Sequence, residues 1–140
     1  MRITKRKVAL CLLLLLLSIP VWAQKEPKSI MAHANGNGVL KIGDEEFKVT
    51  SVVIKLFEGG KAEINLISDI TVFVSGTWAR AENDRTVINL KITGGATGGG
   101  VEANGELHLR GNGKEIDRVS LEGESKTSHR TMTLNFQAAD

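Results

Sequence analysis

The sequence predicts an all-β domain of about eight antiparallel strands joined as a meander, and three observations predict it. From Ile30 onward apolar residues recur with period two, and no stretch keeps the 3.6-residue period of a helix. Clusters of Gly, Asp, Asn and Ser break the alternation at short intervals, as turns do. Small residues also fall on the inward side of individual strands, where a sharply bent sheet requires them.

The elements follow in chain order. Ile30 to Ile42 places Ile30, Ala32, Ala34, Leu40 and Ile42 on one face, with Gly36 and Gly38 on the same side. Lys48 to Phe57 is the most apolar run, and Ala62 to Ile67 and Ile70 to Trp78 follow it. Arg85 to Thr93 is the fifth strand. The sixth, Val101 to Leu109, has the clearest alternation: Val101, Ala103, Gly105, Leu107 and Leu109 face one way, Glu102, Asn104, Glu106 and His108 the other. One dry and one wet side is the signature of an antiparallel sheet. Glu115 to Gly123 and Arg130 to Gln137 complete the set, the last with Met132, Leu134 and Phe136 in register. Gly43-Asp44, Glu58-Gly59-Gly60, Ser68-Asp69, Glu82-Asn83-Asp84, Gly94 to Gly100, Gly111-Asn112-Gly113 and Gly123 to Ser128 separate them. Short links imply sequential pairing.

Eight strands in a meander expose two edges unless the sheet closes. A closed or flattened β-barrel is therefore favoured over a β-sandwich, which shares the inward/outward pattern. A faint repeat at a spacing of 67 residues aligns Asn37, Gly38, Leu40 and Val52 with Asn104, Gly105, Leu107 and Val119. Alternating strands align this way without common descent, so both readings stay open.

The N-terminus carries the three parts of a secretory signal peptide. Arg2, Lys5, Arg6 and Lys7 form a basic start, Val8 to Ile19 an apolar helical run of 12 with six consecutive leucines, and Val21-Trp22-Ala23 a cleavage site after Pro20. Twelve apolar residues fall short of the ~20 that cross a bilayer as a helix. The expected organisation is a leader over 1–23, a short flexible segment over 24–29, and a single all-β domain over 30–140, exported to the periplasm or the extracellular space.

Cleavage changes the charge. The leader holds four of the 18 basic residues and no acidic one, leaving 14 Lys and Arg against 16 Asp and Glu in 117 residues. Binding to nucleic acid rests on a cationic surplus that releases counterions, and none remains. Cys11 departs with the leader, which removes thiol catalysis and disulfides.

Motifs for chemistry are few. Gly94 to Gly100 runs from strand to strand without the Lys-Ser/Thr and helix of a phosphate loop, and reads as a flexible hairpin connection. His33, His108 and His129 lack the close spacing of a metal site and read as surface imidazoles. No G-x-S-x-G is present, and the acids Asp44-Glu45-Glu46 cluster in a turn. The expectation is a non-enzymatic protein with no metal and no cofactor. The predicted domain has no Tyr, one Trp and four Phe, few for the aromatic platforms on which sugars and single-stranded nucleic acids stack.

Trp78 shares parity with Ile70, Val72 and Val74 and reads as a core plug, with Arg80 placed to stack over it. Gly76-Thr77-Trp78 is similar to the Gly-x-Trp that closes lipocalin-like barrels beneath an Arg. It covers three residues in the fourth strand instead of the first, and no family is assigned from it. Trp78 and Arg80 are the ligand-site candidates. Val53, Phe57 and Phe73 lie where two strands are apolar on both faces, and are the candidates for a partner patch.

Two functions follow. One is a carrier holding a small apolar ligand among Leu40, Ile54, Leu66, Val72, Leu90 and Leu107. The other is a protein-interaction module, inhibitor, adhesin-like or envelope accessory, acting through the apolar sheet face. Neither involves nucleic acid, or a membrane once the leader is gone.

Overall fold

The computed structural model describes residues 29–95 and 100–140. The leader, all of the flexible segment except Ser29, and the middle of the glycine-rich loop lie outside the described residues. The described chain is all-β: β1 Ile30–Ile42, β2 Glu45–Leu56, β3 Lys61–Ile67, β4 Thr71–Arg80, β5 Val87–Gly95, β6 Val101–Leu109, β7 Ile116–Ser125 and β8 Thr131–Ala138. A 3-10 turn, Glu58–Gly60, links β2 to β3. Each strand pairs antiparallel with the next, and β8 returns to β1, with Leu40 opposite Leu134, so the sheet closes into a barrel. Closure removes both edges and decides against the sandwich.

Alternation fills the interior. Leu40, Ile54, Ile64, Leu66, Ile88 and Leu134 each expose 0–1% of their surface. Charged side chains such as Lys91, Glu102, Glu106 and Glu122 point outward, the reverse of a barrel whose apolar band meets lipid. The six residues expected to line the interior are all buried, the most exposed being Val72 at 4%.

Neighbouring strands close tightly over glycines on inward positions. A Cβ on Gly105 would stand 1.9 Å from the Ser120 carbonyl oxygen, and one on Gly76 1.9 Å from that of Lys91. Adjacent strands approach too closely at these points for any side chain, which accounts for the glycine of Gly76-Thr77-Trp78 in packing terms. Gly38 and Gly105, aligned by the 67-residue repeat, approach different neighbours: Gly38 lies against Asn135 and Phe136 of β8, Gly105 against Ser120 and Leu121 of β7.

Alternation breaks once in β2. Its inward positions run Val49, then Val52, Ile54 and Leu56, three apart at the first step and two thereafter. The β1 span from Asn35 to Gly38 carries one residue more than the β2 span from Ser51 to Val49 opposite it. This is a β-bulge, which bends a strand and increases its twist.

Candidate functional site

The ligand-site candidates part company. Trp78 packs half-buried against the core, and its indole N–H donates to the Phe57 carbonyl oxygen at 2.9 Å. Arg80 turns to its own hairpin, where Nη1 donates to the Arg85 carbonyl oxygen at 2.8 Å. A cation does stand over an aromatic ring, but it is Lys61, with Nζ 5.9 Å from the centre of the Phe57 ring.

Val53, Phe57 and Phe73 share the outer side of the β2–β4 region without forming one surface. Val53 pairs with Asn65, and Asn65 with Phe73, so a polar amide stands between the two apolar residues in their row. Lys55 and Glu63 form the next row, beside Met31. Phe73 is 42% exposed and Met31 72%; Ile70, at the β3–β4 turn, is 47% exposed. The face therefore holds separate apolar anchors among polar side chains.

The β5 to β8 side of the barrel carries a feature that sequence spacing does not show. Closed pairing lays outward side chains in rows that cross the strands. One row runs Asn89, Glu106, Ser120, Asn135 from β5 to β8. A second runs Lys91, Asn104, Glu122, Thr133 and on to Lys41 in β1. A third runs His108, Arg118, Gln137, Asn37. Between these rows the surface is concave. A furrow of ≈ 650 Å³ crosses β4 to β8, and another of ≈ 520 Å³ adjoins it at Glu106, Ser120 and Asn135.

Within the second furrow His108 is held by its neighbours. Its Nε2 lies 2.7 Å from Glu106 Oε2, and its Nδ1 lies 3.5 Å from Arg118 Nη2. The carboxylate can only accept, so Nε2 carries the hydrogen between them. Nearby, Asp84 Oδ1 accepts from the backbone N–H and the hydroxyl of Thr86, at 2.9 and 2.6 Å. These bonds hold the Asp84 carboxyl below the ordinary carboxylate range, and the His108 ring adds to the effect.

His33 and His129 lie elsewhere. His33 bonds Ser51 across β1 and β2, and His129 sits exposed in the β7–β8 turn with Nδ1 3.8 Å from Glu124. Among the described residues, no group of three or more His, Cys, Asp or Glu side chains converges to hold a metal. Comparison with family models, with curated proteins and with solved structures finds no match to this chain.

Proposed function

We propose that this chain is an exported, non-enzymatic β-barrel that acts through its outer surface, as a protein-interaction module. The observation that carries the reading is the closed and filled interior. Side chains bounding a ligand-sized cavity would present surface to it, and Ile64, Leu66, Ile88 and Leu134 present none. This argues against the apolar carrier and moves recognition outside. Export rests on the leader over 1–23. The non-enzymatic reading rests on the sequence, which carries no nucleophile motif and no metal-site spacing.

Phe73, Met31 and Ile70 supply the protein contact. Large apolar side chains held in the open on or beside rigid strands are the anchors around which interfaces form, with polar neighbours as the rim. The partner is a protein of the envelope or extracellular space with pockets matching these anchors.

The test is purification of the chain from its own host under gentle conditions, beside Phe73→Asp and Met31→Lys variants. Co-elution of a stoichiometric protein partner, or self-association, is expected for the native chain and lost in both variants while the melting temperature holds. The reading fails if the variants retain the partner, or if native mass spectrometry finds an apolar small molecule inside the barrel.

A further inference from the structure

We propose a second binding site, separate from the Phe73 anchor: the furrow across β5 to β8 binds a linear, uncharged, polyhydroxylated chain, a β-1,4-linked glycan. The inference is independent of the protein-interaction reading.

The furrow's chemistry selects among ligand classes. Its rows mix Lys91 and Arg118 with Glu106 and Glu122, so it lacks the cationic surplus for a polyphosphate or nucleic acid. Between Asn89 and Asn135 its outward positions hold no large apolar side chain; Trp78, Leu90 and Leu121 reach it only from inward positions, and Val39, 41% exposed, follows Asn135 at its β1 edge, so it lacks the row of exposed anchors that a lipid or a peptide needs. An extended peptide would otherwise add to a sheet edge, and the closed barrel offers none.

What the furrow does offer is hydrogen bonding. Asn37, Asn89, Asn104 and Asn135 stand exposed, each with two N–H donors and a carbonyl acceptor. Asn112, by contrast, spends its side chain on its own turn, accepting from the backbone N–H of Lys114 and Glu115 at 2.9 and 3.2 Å. Sugar hydroxyls both donate and accept, and amides beside carboxylates and hydroxyls match them in both senses. Groups fixed on strands are also oriented in advance, so less freedom is lost on binding.

The spacing suits a polymer. Polar side chains of one row recur once per strand, every ~4.8 Å, close to the advance of one pyranose unit along an extended β-1,4-linked chain. Asn89, Glu106, Ser120 and Asn135 thus meet successive sugars of one oligosaccharide. Trp78, half-buried, is the one aromatic side chain lining the larger furrow, so stacking is confined to its β4 end; elsewhere each unit is held by hydrogen bonds alone, and several must be engaged together.

The test titrates the purified exported protein, isotopically labelled, with chitohexaose, cellohexaose and mannohexaose, each against its monosaccharide at equal sugar concentration, and reads side-chain amide resonances. At least one hexasaccharide is expected to shift the amides of Asn89, Asn104 and Asn135, with a far smaller response to its monosaccharide. Asn89→Ala and Asn135→Ala, both exposed substitutions, are each expected to weaken binding about fivefold, the value of one hydrogen bond, and to leave the melting temperature unchanged. Absence of shifts with all three hexasaccharides, shifts confined to the Met31 and Phe73 face, or binding unaffected by both substitutions would overturn the proposal. So would response to an acidic polysaccharide alone, abolished by salt. Loss of the protein partner in Phe73→Asp with glycan binding intact would keep the two sites distinct.

Discussion

The imidazole Nε2 of His33 lies 2.8 Å from the hydroxyl oxygen of Ser51, the one buried polar side chain among the described residues. The pair sits at the β-bulge. Ser51 is one step from the point where the inward positions of β2 change phase, and a hydroxyl sealed there without a partner would cost about 1–3 kcal/mol. An exposed histidine on the neighbouring strand supplies the partner.

The consequence is measurable by a double-mutant cycle. Ser51→Ala is expected to cost about 0.5–1.5 kcal/mol in urea unfolding, and His33→Ala a similar amount or more, since it orphans the hydroxyl. The two together are expected to cost less than their sum, because neither group is then left alone. Strict additivity would show that the contact contributes nothing.

Glycine at a bend and glycine in an open turn are expected to respond oppositely to the same substitution. Gly105→Ala drives a methyl into the Ser120 carbonyl, 1.9 Å away, and is expected to destabilise by about 1–3 kcal/mol as β6 and β7 separate. Gly111 has nothing within 4 Å of the same position, so Gly111→Ala is expected to be neutral, or to stabilise by about 0.4–1 kcal/mol through the unfolded chain. Chemical denaturation of the two variants separates a packing role from a turn role. Equal effects would remove the argument that the inward glycines permit the curvature.

Trp78 ties β4 to the turn after β2 through the Phe57 carbonyl, 21 residues away. Trp78→Phe keeps a ring against the core and loses the N–H, an expected loss of about 0.5–1.5 kcal/mol. The Phe57 oxygen still accepts from the Gly60 N–H at 3.2 Å, which limits the damage. Trp78→Ala also opens a cavity and is expected to cost about 3–5 kcal/mol. A Phe variant as damaged as the Ala variant would place the whole role of Trp78 in its hydrogen bond.

These residues mark what was legible in the sequence. Strand positions were, because period two is a local property: Ile30–Ile42 and Val101–Leu109 coincide with the runs read from alternation, and the other strands differ by at most three residues at either end. The inward set from Leu40 to Leu107 was legible for the same reason. The bulge was not, since an unmatched residue near Gly36 makes sense only against the strand opposite. Closure of β8 on β1 is non-local in the same way. The furrow was hidden most completely: Asn89, Glu106, Ser120 and Asn135 come from four strands with no common spacing, and only the register sets them side by side. The two-residue separation suggests Arg80 over Trp78, while the geometry of the hairpin turns it toward Arg85.

Asp84 makes the acid limb of stability a test of one turn. Its carboxylate accepts two hydrogen bonds from Thr86, and these lower its affinity for protons in the folded state below that of the unfolded chain, whose ordinary value is 3.8. A carboxyl with a depressed folded-state pKa contributes stability that is complete above the unfolded value and disappears as pH falls through the folded one. The stabilisation is therefore expected to be constant at neutral pH and to fade only below about 3.8. Asp84→Ala removes the acceptor, so its melting temperature is expected to lie below that of the native chain at pH 7 and to converge on it in strong acid. Calorimetric melts at a series of pH values read this directly. A gap that stays constant into strong acid would mean that the turn is held by its shape, and that the charge on Asp84 contributes nothing to it.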